Sequence, residues 1–272
     1  MAVVGRGRIV VWEGASLWVL KREQKVAELQ PHAHHAIQIT FQLEGWFEIG
    51  VMGERLSGPV AAVWSDTPHS FQASGAVAFL FVDPESPVGR KLGKAWFGDQ
   101  PWAHIASGQL TLLLDELNNC LRNAVTKEEM LGLGRKIVDA LPAAVEPILP
   151  DPRVLAMISY VRQNLENTIT LASAASHICL SHSRARHLFA AQTGLPFKTY
   201  VLWLRLERAV ALYAGGSSLT EAAHTAGFAD SAHLSRTFRR TFGLPAAALR
   251  FNDDLEPSCR RKRLETRGGP LT

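Results

Sequence analysis

Two sixteen-residue runs constrain this chain more than anything else in it: "SHSRARHLFAAQTGLP" at 181–196 and "DSAHLSRTFRRTFGLP" at 230–245. Each opens on a polar residue, carries a central bulky pair and closes on Gly-Leu-Pro. In the second, Leu234, Phe238 and Phe242 recur every four residues and form one apolar stripe on a helix. Ala232, His233, Arg236 and Arg240 then point away from that stripe, and Asp230 or Ser231 can cap the helix start. The first run puts Ala185, Leu188 and Phe189 inward and Ser183, Arg186, His187 and Ala190 outward, with Ser181 as its cap.

Each run follows a short Ala-rich segment, "LASAASHI" before the first and "LTEAAHTAGF" before the second. The latter ends at Gly227, where a tight turn needs a residue tolerant of positive φ. A short helix, a tight turn and an outward-facing basic helix make a helix-turn-helix. Between the copies, "PFKTYVLWLRLERAVALYAG" reads as an apolar helix long enough to hold two such units apart. Outward arginines can take bidentate contacts to guanine, while Ser and His bond bases or phosphates less selectively.

Charge follows the same division. Residues 1–150 hold 13 Lys and Arg against 16 Asp and Glu, whereas 151–272 hold 16 against 9. A basic half behind an acidic half directs a polyanion to the second only. No apolar run approaches the ~20 residues of a membrane span. Three scattered cysteines, Cys120, Cys179 and Cys259, argue against a disulfide framework and for a reducing cytoplasm.

Residues 8–82 read as β. "RIVVWEG", "SLWVLKR", "AIQITFQLEG", "WFEIGVMG", "VAAVWS" and "AVAFLFVD" are short, rich in β-branched and aromatic residues, and separated by Gly, Pro and Ser. That spacing predicts an antiparallel barrel or double-sheet roll. Leu110, Leu113, Leu114, Leu117 and Leu121 then form a helical stripe, read as a dimer face in preference to a mere cover for the barrel, and a second helix spans "KEEMLGLGRKIVDAL". The proline-dense "PAAVEPILPDP" marks a boundary near residue 150. Trp12, Trp18, Trp46 and Trp64 either pack a core or line an apolar pocket.

From Ile169 to Arg250 the sequence resembles the AraC/XylS family of bacterial transcription regulators. The resemblance rests on "LASAAS…LS…ARHLFAAQTG", "LRLERAVALY" and "LTEAAHTAGFADSAHLSRTFRRTFG". It implies two helix-turn-helix units that read successive major-groove segments of promoter DNA. Ser183, Arg186 and His187 would act in the first, and Ser231, Ala232, His233, Arg236 and Arg240 in the second. Three positions depart from the pattern: Cys179 where Gly is usual, Ala185 where a larger apolar residue is usual, and Ala-Ala-Ala-Leu at 246–249.

In this family a second domain commonly senses a small molecule and dimerises, and residues 8–82 resemble its cupin-like β-roll. His32, His34, Gln38 and, from a later strand, His69 fall at the spacing of metal-binding cupins, with Gln38 replacing a Glu and Asp66 replacing a Gly. The resemblance therefore implies a divalent metal ion as a candidate cofactor. His35 is expected on the opposite side from His34.

The expected architecture is an α+β two-domain chain. A cupin-like antiparallel roll spans 1–100, a helical dimerisation and linker region 101–150, an all-α double helix-turn-helix 151–252, and a charged tail 253–272. The expected function is sequence-specific, effector-responsive transcription regulation without enzymatic activity. Expected partners are promoter DNA, a small-molecule effector, a second copy of the chain and RNA polymerase, with no membrane. The alternative is a cupin metalloenzyme, a dioxygenase or isomerase, with an appended helical domain.

Overall fold

An 18-residue strand, β2 (Ala15–His32), organises the N-terminal half of the computed structural model, which describes residues 5–106, 108–123, 125–141 and 149–246. It pairs antiparallel with β1 (Gly5–Trp12) on one side and with β6 (His69–Val82) on the other. β6 also pairs with β3 (Ile37–Val51), β3 pairs with β5 (Val60–Val63), and β5 pairs with β7 (Trp102–His104). β4 (Glu54–Ser57) folds back on the end of β3. All pairings are antiparallel, as the short β-rich segments predict.

Two predicted strands merge. "AIQITFQLEG" and "WFEIGVMG" are the single strand β3, which continues past a register shift between Gln42 and Glu44. Gly45 and Gly75 face one another there, both with positive φ, and a Cβ on Gly45 would stand 2.0 Å from the Ser74 carbonyl oxygen. Sequence alternation reads this point as a turn, whereas the sheet uses it as a bulge that bends both strands. β7 and helix α1 (Pro87–Trp96), capped by Ser86, were not predicted.

The sheet has two apolar faces. Val10, Leu17, Val19, Ile37, Ile39, Phe41 and Leu80 pack against α1, α2 (Thr111–Arg122) and α3 (Lys127–Ala140). Leu110, Leu117 and Cys120 are buried here, so the leucine stripe covers the sheet, while Leu112, outside the stripe, is exposed. Thr126 and Glu129 form a reciprocal capping box that starts α3 as its sequence predicts. The other face carries Trp18, Phe47, Ile49, Phe71, Phe79 and Phe81, in one continuous core with the C-terminal helices.

Those helices are α4 (Pro152–Gln163), α5 (Leu171–His177), α6 (His182–Thr193), α7 (Phe197–Ala214), α8 (Leu219–Thr225) and α9 (Ser231–Phe242). Most of the proline-dense linker (142–148) and the charged tail (253–272), with residues 247–252, lie outside the described residues. Among the described residues, no helix is long and apolar enough to cross a membrane.

Candidate functional site

Each predicted reader is a helix held by its caps. Ser181 Oγ accepts from the Arg184 backbone N–H, and Gly194 ends α6 with φ 74°. Asp230, rather than Ser231, caps α9: its carboxylate accepts from the His233 N–H at 2.6 Å, and Gly243 ends the helix with φ 70°. Ala185 and Phe189 are fully buried, as are Leu234, Thr237, Phe238 and Phe242 to within a few per cent. Periodicity identified this stripe apart from Thr237.

The opposite faces carry the predicted contact residues. Ser183, Arg186, His187, Ala232, Arg236 and Arg240 are exposed, while Ser231 and His233 are half-buried. The His233 ring lies edge-on to Phe228 at 5.2 Å, which fixes its direction. Arg184 and Arg239 are also exposed on these helices and were missed, because the stripe alone does not rank neighbouring outward positions.

The two turns differ instructively. Gly227 sits at φ 82°, and a Cβ there would stand 2.5 Å from the Leu165 carbonyl oxygen and 2.8 Å from Arg205 Nε. Arg205 itself donates to Leu165 O and to Asn167 O at 3.3 and 2.9 Å, tying α7 to the end of the α4 segment. In the first turn Cys179 takes φ 53° although it is not glycine. Asp66, which also replaces an expected Gly, likewise takes φ 59°. Both departures keep the left-handed backbone at some local strain.

The N-terminal sheet meets the C-terminal helices through one aromatic cluster. Phe242, the last residue of α9, has ring centroids 5.1 Å from Trp18, 5.7 Å from Phe81, 5.8 Å from His34 and 6.3 Å from Trp203. Trp18 and Phe238 stack at 6.4 Å. Beside this cluster a cleft of about 240 Å³ is lined by Trp12, Trp18, Phe81, Trp203 and Phe242, with Asp83, Arg162, Glu207 and Arg208 as its charged groups. Of the four sequence-flagged tryptophans, Trp12 and Trp18 line this cleft, Trp64 packs on Phe97, and Trp46 is 39 % exposed.

Charged groups complete the contact. Arg162 of α4 donates to Asp83 at 2.7 Å and lies 3.7 Å from Glu207. Burial pushes the carboxyl groups of Asp83 and Glu207 up to about 7 each, with nearby acidic groups adding to it and Arg162 opposing. Tyr200 donates to Glu85 at 3.3 Å. His35 lies between Asp66 and Glu85, at 2.6 and 3.1 Å, with its ring edge-on to Tyr200. Burial alone drives this imidazole toward neutrality, but its two carboxylate partners outweigh it and raise the pKa to about 10.

The other histidines form a second group. His32, His34 and His69 each offer a nitrogen, and the three atoms lie within 4.8 Å of one another. Burial lowers all three pKa values, that of His34 to about 4, so the rings are neutral at pH 7. Gln38 Oε1 lies 3.0 Å from His34 Nε2, and Gln38 Nε2 donates to Thr40 Oγ1 at 3.1 Å. The fold thus brings together all four residues flagged by the cupin spacing and sends His35 to different partners.

Residues 174–251 match the helix-turn-helix domain family. The transcriptional activator RhrA of Rhizobium meliloti is 30 % identical over 155 residues, covering 52 % of this chain and 48 % of that protein. The arabinose operon regulatory protein of Escherichia coli is 29 % identical over 129 residues, covering 47 % and 43 %. The HTH-type transcriptional regulator YidL of Escherichia coli is 34 % identical over 103 residues, covering 38 % and 35 %. The chain therefore spans between a third and a half of the length of these relatives. Across both halves the fold is similar to ToxT from Vibrio cholerae, with TM-score 0.55 and 10 % identity over 86 % of this chain and 95 % of that one. The C-terminal part of the chain thus carries a helix-turn-helix domain similar to those of these transcription regulators, and the fold across both halves is similar to that of ToxT.

Proposed function

We propose that this protein is a sequence-specific, DNA-binding transcription regulator whose N-terminal roll responds to a small-molecule effector. The observation that carries the reading is the division of α9 into two faces. One presents Ala232, Arg236 and Arg240 to solvent, and the other seats Phe238 and Phe242 against Trp18 of the roll. A change in the roll therefore acts on a helix that meets DNA.

In this reading α6 and α9 enter successive major-groove segments on one face of the duplex, held apart by the 18-residue α7. Ser183, Arg186 and His187 contact DNA from α6, and Ser231, Ala232, His233, Arg236 and Arg240 from α9. The arginines discriminate bases and the shorter polar groups position the backbone. The aromatic cleft between roll and helices accommodates the effector, which biases an equilibrium between two seatings of the DNA-binding half. ToxT, of similar fold, has been solved with an unsaturated fatty acid bound, which supports effector binding as a use of this architecture. The protein acts in the cytoplasm as a homodimer on promoter DNA and contacts RNA polymerase. The names of the relatives favour regulation over the cupin-enzyme alternative.

Selection of bound sites from random DNA with the full chain tests this. Enrichment of a motif with two half-sites about one helical turn apart is the expected result. No enrichment at low salt overturns the reading.

A further inference from the structure

The three-histidine cluster has a construction that packing alone does not require. His32 and His69 are register partners on β2 and β6, and His34 stands in the short connection leading to β3. Their ring centroids lie 4.5 Å apart for His32 and His69, 5.1 Å for His34 and His69, and 6.1 Å for His32 and His34. Each ring turns Nδ1 to a backbone carbonyl: Gln30 O at 3.1 Å, Ala36 O at 3.2 Å and Thr67 O at 2.8 Å. A neutral imidazole that donates from Nδ1 keeps its lone pair on Nε2.

His69 Nε2 is buried and has no hydrogen-bond partner among the described residues. A buried nitrogen left without a partner carries an uncompensated desolvation cost, so its retention calls for an occupant. Carbonyls that fix the tautomer of clustered histidines are the usual outer support of a metal site. Gln38 Oε1 adds a neutral oxygen 3.0 Å from His34 Nε2. Two donors each about 2.1 Å from a metal ion and at right angles around it stand about 3 Å apart, so that pair already has ligand spacing.

We propose that His32, His34 and His69, with Gln38 as an oxygen donor, bind a divalent first-row transition-metal ion, and that its occupancy sets how α9 sits on the roll. The donors define the class of ion. Imidazoles suit zinc, nickel, cobalt or iron, and no carboxylate belongs to the cluster among the described residues, which disfavours calcium and magnesium. The coupling follows from His34. Its ring is in the cluster and also lies 5.8 Å from Phe242 and 6.5 Å from Trp203, the aromatic residues through which α9 and α7 touch the roll. Drawing nitrogens that span up to 4.8 Å inward to a common ion shifts the His34 ring beneath Phe242. The coupling rests on the regulator reading; the metal site does not.

The test uses full-length protein stripped with a chelator and titrated with cobalt(II) as the spectroscopic probe, followed by elemental analysis after zinc or nickel loading. One ion per chain is expected, with visible ligand-field bands and an affinity at least 100-fold weaker in His69→Gln and in His34→Ala. His104→Ala, at the exposed end of β7, should bind as wild type. DNA affinity on the selected site should then change at least threefold between stripped and loaded wild type and not at all in His69→Gln. Absence of stoichiometric metal binding in a protein that still selects a DNA motif overturns the site and leaves the regulator reading intact. Undiminished binding by a folded His69→Gln also overturns the site. Stoichiometric binding with unchanged DNA affinity overturns the coupling. Cobalt binding lost in His69→Gln, in a chain that selects no DNA, upholds the site and sinks the regulator reading.

Discussion

The ring of Phe242, at the C-terminal end of α9, lies 5.1 Å from the ring of Trp18 in β2. Trp18 is 3 % exposed and Phe242 6 % exposed, and at this pair the two halves of the molecule meet. Residues 224 positions apart thereby join the part that would sense to the part that would read.

This pair sets the first prediction. Phe242→Ala should destabilise the chain by about 3–5 kcal/mol, as loss of a buried aromatic ring does. A double-mutant cycle with Trp18→Ala should return a coupling of about 0.5–1.5 kcal/mol. Denaturant melts of the four proteins measure it, and strict additivity would mean that the rings do not hold the halves together.

The two helix-helix turns predict opposite outcomes. Gly227→Ala forces a Cβ into the Leu165 carbonyl at a left-handed φ, and should cost about 2 kcal/mol or more. Cys179→Gly relieves the same backbone conformation at an exposed site, and should raise stability by about 0.5–1 kcal/mol despite the added freedom of the unfolded chain. Thermal melts that move both variants in the same direction would refute this account.

His35 predicts an alkaline limb in the stability profile. Its folded pKa of about 10 exceeds the ordinary value of 6.5, so the folded state binds more protons across that interval. The stabilisation is complete below pH 6.5 and is lost as pH rises toward 10. His32, His34 and His69 act oppositely: their depressed values give stability that is present above pH 6.5 and lost on acidification. Denaturation midpoints from pH 7 to 10 should fall in the wild type and flatten in His35→Gln. An unchanged slope in the variant would assign the limb to another group.

Arg236→Ala, on the exposed face of α9, should weaken binding to the selected site by about 1–3 kcal/mol and relax preference at one base pair. Equal weakening on scrambled DNA would reduce Arg236 to a phosphate contact, which should instead lower the salt dependence by about one ion.

The reader helices were legible because their determinants are local. A four-residue apolar period, a capping side chain and a C-terminal glycine act within one or two turns, so Leu234, Phe238, Asp230 and Gly243 declare α9 without help from the rest of the chain. The roll was legible as strands but not in its joins. Alternation cannot separate a turn from a bulge at Gly45, because the difference lies in whether Gly75 approaches from another strand. The three residues of β7 carry too short a pattern to register.

The sequence by itself determined two helix-turn-helix units, a β-rich half and a set of histidines at a recognisable spacing. Tertiary structure alone decided that β2 and β6 bring His32 to His69, that their Nδ1 atoms meet carbonyls, and that His35 goes instead to Asp66 and Glu85. It also decided that Phe242 closes over the roll. Periodicity fixes which face of a helix is apolar, but what covers that face depends on contacts between residues far apart in the chain, and no local pattern encodes those.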